Sequence, residues 1–415
     1  HLADVGIGVA VGAGDAFAAL ETVERLRVLS LVSSIDRPRS EELERLLVEY
    51  RSLGGHLETG DHHESRARLE HRIRELGRLV GYAPAASGHP TVEAALGGLG
   101  DRRLVEFIDH GGSIFAITAT AKSPIELAEV APSARVRQEI DSLRSAIARL
   151  ASPQTSPASQ DAFGTVLEAS AQYLSDWLFD GIDLTDTSPI LVVPSHALGS
   201  LPWAALPALS GRAFAIAPSF RLWAAMNERA HPNPDRVIAV GLDDPPMASA
   251  EAQMIADIRN GEAILGGQAL VEVVMRELDG AGVAHLACHG VFRGDNPLMS
   301  SLHMADGPIT VYDIERLDQP PETLVLSACE VAQSQRLAGD ALLGMSASLM
   351  AAGARSLVAA TTAVSDEAAP AFMAEWHRRH AEGASPAEAL ADARRSVADD
   401  PAARAVAASF VCLGV

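Results

Sequence analysis

Two short apolar runs, each ending abruptly in a chemically active side chain, constrain this fold more than any other feature of the chain. Residues 283–292 read V-A-H-L-A-C-H-G-V-F, and residues 323–330 read T-L-V-L-S-A-C-E. Brief apolar runs bounded by Gly and polar residues are the pattern of strands buried on both faces, and such strands belong to parallel sheets with helical crossovers. The surrounding sequence supplies the crossovers. Helical patterns at 248–260, 268–279, 339–352, 366–382 and 386–398 alternate with strand patterns at 236–241, 263–266, 283–288, 323–328, 355–361 and 409–413, with a short strand pair near 301–311. This order predicts an α/β fold with a mostly parallel sheet flanked by helices. In such sheets ligands bind beyond the carboxyl ends of the strands. His289 and Cys329 both stand at such ends, 40 residues apart with the imidazole first.

Upstream the character differs. Over 15–80, Phe17, Leu20, Val23, Leu26 and Leu29 fall near one helical face, and the pattern continues around polar breaks at 35–40 and 54–64. His62 and His63 lie in the second break and read as solvated loop residues. Two or three antiparallel helices are predicted over 1–95, a short helical region that would suit the end of a helical repeat array. R-R-L-V-E-F-I-D-H and G-G-S-I-F-A-I-T-A-T-A then form a hairpin about a Gly-Gly turn. A helix at 133–150, a linker at 151–160, a helix at 162–179 and the buried strand P-I-L-V-V-P (189–194) follow. The divisions implied are 1–95, 96–235 and 236–415.

Composition removes several functions. With 415 residues, 48% of them hydrophobic, the chain can build two or three cores. The net charge is −21 and no dense Lys/Arg cluster exists, so nucleic acid is not expected as a direct ligand. No run approaches the roughly 20 apolar residues of a membrane span, and no secretory signal opens the chain. Starting at His1, it is expected to be a piece of a longer protein. Three cysteines argue against a disulfide scaffold and for a reducing cytoplasm. Lys122 is the one lysine among 33 basic residues, a bias expected of a GC-rich bacterial genome.

A thiol and an imidazole delivered from two buried strands are the parts of a nucleophilic cysteine enzyme. His289 would serve as base to the Cys329 thiol and then as acid to a leaving amine. The backbone N–H groups of Gly290 and Cys329 would be the oxyanion donors, with Gly290 allowing close approach of the substrate. No Asp or Asn marks itself as a third member orienting the imidazole. Cys288 should face opposite His289, by strand alternation, and pack in the core; Cys412 reads the same way. His285, Cys288 and His289 form H-x-x-C-H without a second ligand group at zinc-like spacing, so no metal is expected, and no cofactor. Asp340, Asp366 and Glu330 are candidate substrate contacts, although Asp340 and Asp366 also stand where helices start and N-cap carboxylates are common. The polar segment 331–339 is the candidate for an element ordered on activation.

At these residues the chain resembles the CHAT family, caspase-like domains first recognised beside helical TPR repeats. The resemblance covers roughly 96–415. It is carried by H-L-A-C-H-G (285–290), N-P-L-M-S-S-L-H (296–303), L-V-L-S-A-C-E (324–330), G-D-A-L-L-G-M-S-A-S-L-M-A-A-G-A (339–354) and V-S-D-E-A (364–368). Weaker anchors are I-L-V-V-P-S-H-A-L-G-S-L-P-W-A-A-L (190–206) and A-P-S-F-R-L (217–222). It implies a clan CD cysteine peptidase with a degenerate caspase-like half (96–235) ahead of the active one (236–415). His289 and Cys329 would be the dyad, and Ser195 and His196 would do no chemistry. Caspases share the order, with His roughly 50 residues upstream of the nucleophile. The chain departs from the family at A-A-T-T-A-V-S-D, where a Trp is usual, a difference that bears on the substrate pocket more than on catalysis. The expected function is a cytoplasmic bacterial cysteine endopeptidase that cleaves a protein partner and is gated by an upstream sensor or repeat region. A non-enzymatic CHAT scaffold that binds a protein partner is the alternative. A different thiol hydrolase or amidase on a similar sheet is a further one.

Overall fold

The computed structural model describes residues 2–32, 41–52, 63–80, 89–150, 155–228, 233–293, 296–327, 338–362, 364, 368–397 and 401–415. The chain opens with helices α1 (Leu2–Gly12), α2 (Ala16–Val32), α3 (Glu41–Ser52), α4 (His63–Val80) and α5 (Val92–Gly97). Strands β1 (Arg103–His110), β2 (Ser113–Ala119) and β3 (Glu126–Pro132) precede helices α6 (Ser133–Leu150) and α7 (Pro157–Phe179). Then come β4 (Ile190–Val193), β5 (Phe214–Ile216) and α8 (Phe220–Asn227). The next stretch runs β6 (Val237–Gly241), α9 (Ala248–Arg259), β7 (Glu262–Leu265), α10 (Val271–Leu278) and β8 (Val283–Ala287). After β9 (Gly290–Val291), β10 (Ser301–Met304), β11 (Gly307–Thr310) and α11 (Val311–Ile314) come β12 (Thr323–Leu326), α12 (Ala338–Ala352) and β13 (Ser356–Ala360). Helices α13 (Ala369–Ala381), α14 (Pro386–Ser396) and α15 (Pro401–Ser409) lead into β14 (Phe410–Gly414). No helix among the described residues is long and apolar enough to cross a membrane.

Among the described residues eleven strands form one sheet in the order β3-β2-β1-β4-β5-β14-β13-β12-β8-β6-β7, and β11-β10-β9 form a small second sheet. The large sheet is mostly parallel, as the alternating pattern predicts; β1–β2, β2–β3 and β13–β14 are its antiparallel pairs. The last strand closes it, running antiparallel to β13 and parallel to β5, so the carboxyl terminus knits the two parts of the sheet together. Burial follows strand alternation. Ala284, Leu286, Leu324 and Leu326 face the core beneath α6, α7 and α10. Val283, Val325 and Val358 face the opposite core beneath α8, α9, α13 and α14.

Several elements differ from the sequence reading. The segment E-L-A-E-V-A-P forms the edge strand β3, although only Ala131 of it is buried; pairing with β2, not an apolar pattern, makes it a strand. The predicted linker at 151–160 is shortened from its far end. Ser156 caps α7 by accepting from the Ser159 N–H, and Pro157 follows at the first helical position, where its fixed φ suits a helix start. α1 is a helix in an Ala/Gly/Val-rich stretch with weak periodicity, and α15 is a further helix in the Ala-rich stretch P-A-A-R-A-V-A-A-S. His63 opens α4 rather than lying in a loop. α13 starts at Ala369 with Ala368 at its N-cap, three residues later than the predicted helix start, and Asp366 lies outside the described residues.

The N-terminal helices are locked onto the sheet. The Arg27 guanidinium of α2 donates to the carbonyls of Phe107, Pro194 and Pro218, at or beyond strands β1, β4 and β5. Its Nε lies 3.1 Å from the wholly buried Glu106 and 3.8 Å from the equally buried Glu24. Glu24 in turn accepts from the Ser219 hydroxyl and the Phe220 and Arg221 N–H groups, capping α8. Burial, and after it Glu24, push the Glu106 carboxyl well above the usual carboxylate range, against the pull of Arg27. Arg27→Met is therefore expected to cost about 3–5 kcal/mol, because it leaves two buried carboxylates facing each other. The loss should be largest at neutral pH and shrink as the pH falls and Glu106 takes up a proton. Urea midpoints measured across pH check both magnitude and sign.

Candidate active site

His289 follows β8 directly, and the residues that seat it are well defined. Its backbone carbonyl accepts from His303 N–H of β10 at 2.9 Å. Gly290 pairs with Leu302, and a Cβ on Gly290 would meet Leu302 and Phe292 side chains at 3.3 Å. This glycine therefore lets the chain turn from the large sheet into the small one against packed side chains. That is a different reason for glycine from the close approach of substrate expected above. The imidazole is 20% exposed, and its Nε2 lies 3.3 Å from Oδ1 of Asp244, a carboxylate 82% exposed just beyond the end of β6.

β8 lies between β6 and β12 in parallel register, Ala239↔His285↔Val325 and Val240↔Leu286↔Leu326. Beyond β12, the Ser327 N–H still donates to the Leu286 carbonyl at 3.2 Å. Three adjacent strands thus deliver their carboxyl ends to one edge, where Asp244 follows the first and His289 the second. Ser327 follows the third, two residues ahead of Cys329. Cys329, Glu330, Asp366 and the stretch 331–337 lie outside the described residues. Asp340 stands in the first turn of α12. Ser195 and His196 follow β4, five strand spacings from β8 and so about 24 Å away across the sheet.

Asp244 went unnoticed in sequence. G-L-D-D-P-P reads as a turn, and nothing local separates a turn carboxylate from a ligand to histidine. The available signal was topological: in a parallel sheet the ends of all neighbouring strands belong to the same site. The H-x-x-C-H run divides by strand alternation. Cys288 is buried with Ala284 and Leu286 in one core. His285 turns into the other, where its Nε2 lies 3.1 Å from Glu251. Among the described residues no group of three or more His, Cys, Asp or Glu is arranged to hold a metal ion.

A mostly parallel sheet flanked by helices, with an imidazole at the tip of β8, is an α/β architecture of caspase-like type. The CHAT domain profile matches residues 168–414, more than half of the chain, and the chain belongs to the CHAT domain family. Strands β1 to β3 precede the matched span. In structure the chain is similar to Saccharomyces cerevisiae separase in its complex with securin. One crystal structure of that complex matches with TM-score 0.59 at 11% identity, over 97% of this chain and 36% of the separase chain. A second matches with TM-score 0.58 at 9% identity and the same coverage. At such identity the likeness is one of fold, and this chain spans little more than a third of the separase chain. Among curated proteins none matches.

Burial pushes the Cys412 thiol up to about 12, against the pull of Arg394 and Arg102. Cys288 is 1% exposed. Brief iodoacetamide treatment of the native protein near neutral pH is therefore expected to leave both unmodified, since only an accessible thiolate reacts. Both should label once urea is added. Peptide mass mapping reads the result, and label on Cys412 in native protein at about pH 8 would contradict it.

Proposed function

We propose that this chain is a cysteine endopeptidase that cleaves a protein partner with His289 and Cys329. The observation that carries the reading is the direct parallel pairing of β8 with β12, whose ladder continues to Ser327, so that the imidazole-bearing tip and the thiol-bearing segment leave neighbouring strands at one edge. Asp244 supports a base role for the imidazole. A carboxylate that accepts from Nε2–H selects the tautomer in which Nδ1 is the basic nitrogen. In the proposed sequence His289 takes the Cys329 proton and the thiolate attacks the scissile carbonyl. The N–H groups of Gly290 and Cys329 receive the oxyanion, and the imidazolium returns its proton to the leaving amine. Water then hydrolyses the acyl-enzyme with the same imidazole as base. Asp244 at this edge, and Asp340, Asp366 and Glu330 if they contact substrate, would favour a basic side chain before the scissile bond.

A gate from upstream has physical support in the contacts of α3 and α4. Glu70 of α4 bonds Arg293, four residues after His289, at 2.9 Å, and also the Tyr50 hydroxyl at 3.2 Å. Arg51 bonds Asp313 at 2.8 Å, and Leu43, Leu47 and Ile73 pack with Met299 and Tyr312. A movement of this helical pair would thus reach the segment joining β8 to β12.

Cys329→Ala and His289→Ala are each expected to abolish proteolysis while leaving the unfolding free energy within about 1 kcal/mol of the parent, because the first removes a single sulfur atom and the second truncates a partly exposed ring. Cleavage of a peptide library, with and without the upstream region of the longer protein, is the measurement. Retained cleavage by Cys329→Ala would falsify the nucleophile assignment.

A further inference from the structure

The two strands that lead to the dyad share a second connection below their tips. Glu251 stands in the first turn of α9 and is 3% exposed. Its Oε1 lies 3.1 Å from His285 Nε2 and also accepts the Ser327 hydroxyl. His285 is on β8, four residues before His289, and Ser327 follows β12, two residues before Cys329. One carboxylate oxygen therefore bonds both strands. On the other side of His285, its Nδ1 lies 3.1 Å from Nε2 of His377 on α13. His285, Ser327 and His377 are wholly buried. Burial, and after it His285, Arg259 and His380, hold the His377 imidazole well below the ordinary histidine range, so it is neutral. Neutral His377 can donate its Nε2 proton to His285 Nδ1, which leaves the His285 Nε2 proton for Glu251.

Gly241 sets the position of the carboxylate. It ends β6, and a Cβ there would come within 2.2 Å of the Ala248 carbonyl oxygen. The Ser249 hydroxyl donates to the carbonyls of Gly241 and Leu242. α9 therefore starts flush against the strand, and Glu251 reaches past β6 to β8 and β12.

Stability does not explain such a network. It lies in a core of Val237, Ala239, Val283, Val325 and Val358. Replacing a buried polar cluster with apolar side chains of similar volume is often neutral or stabilising, whereas removing one partner is costly. What the carboxylate adds is direction, because hydrogen bonds fix angle as well as distance. We propose that Glu251 is a positioning residue: through His285 and Ser327 it sets the tips of β8 and β12 relative to each other, and with them the His289 imidazole against the Cys329 thiol. This rests on the dyad reading above.

The alkylation rate of Cys329 as a function of pH tests the proposal without substrate or activator. It is measured on the whole chain beside the urea midpoint. In Glu251→Gln, the midpoint of the profile is expected to move up toward the free-thiol value of about 8.5, and the rate at neutral pH to fall roughly tenfold. The combined variant Glu251→Leu, His285→Leu, His377→Leu is expected to unfold at or above the parental urea concentration and still lose the rate. This separates positioning from support of the fold. A wild-type profile in that folded variant would overturn the proposal. So would its failure to fold, since the network would then be part of what holds the core. His289→Ala keeps the two readings apart. A profile that shifts with His289→Ala but not with Glu251→Gln ends the positioning role alone. A profile indifferent to His289→Ala ends the dyad, and the positioning role with it.

Discussion

Parallel hydrogen bonding between β8 and β12 is the interaction on which the rest of this molecule depends. Parallel neighbours point their carboxyl ends the same way, so the side chains that leave the sheet there are brought together however far apart they stand in sequence. Here the ladder runs from Thr323↔Val283 to Leu326↔Leu286. A slip of one residue would exchange the two core faces and turn His285 out of its pocket. Buried Val, Leu and Ala on both faces make that slip expensive, which is how ordinary apolar packing comes to guarantee the geometry of polar side chains at the edge.

Two of the buried carboxylate clusters among the described residues differ in kind. Around Arg27 the buried carboxylates of Glu24 and Glu106 meet a cation and strand-end carbonyls, an arrangement that fixes α2 to the sheet and caps α8. Around Glu251 the described partners are a hydroxyl and the His285 imidazole, with a second imidazole, His377, behind it. The first joins elements distant in sequence into one body. The second joins the two strands that lead to the site. The α3–α4 pair adds a third set of contacts, on the segment between those strands, so the helices before the sheet are coupled to both of its parts.

Much of this could be read in the sequence, for identifiable reasons. Strands buried on both faces leave uninterrupted apolar runs, which is why β4, β6, β8, β12 and β13 are legible at V-V-P, A-V-G, L-A-C-H, L-S-A-C and L-V-A-A. β3 was not, because an edge strand exposed on most of its length needs no apolar pattern. The far part of the 151–160 linker was misread although Ser156-Pro157 carries a clear capping signal. His289 was visible because an imidazole after a buried strand has no packing reason to be there. Asp244 and Glu251 were not, since a carboxylate in a turn and one in a helix's first turn are both commonplace.

By itself the sequence determined the α/β class and the alternation that divides Cys288 from His285, and it offered His289 and Cys329 as candidates after two separate buried runs. These follow from local chemistry and periodicity, which each residue carries with it. Only the tertiary structure decided that β6, β8 and β12 are neighbours, that β14 bridges the two parts of the sheet, and that Asp244 meets His289 while Glu251 lies beneath it. Strand order is set by how helices and strands pack across hundreds of residues, and a carboxylate acquires its role from whichever strand ends beside it.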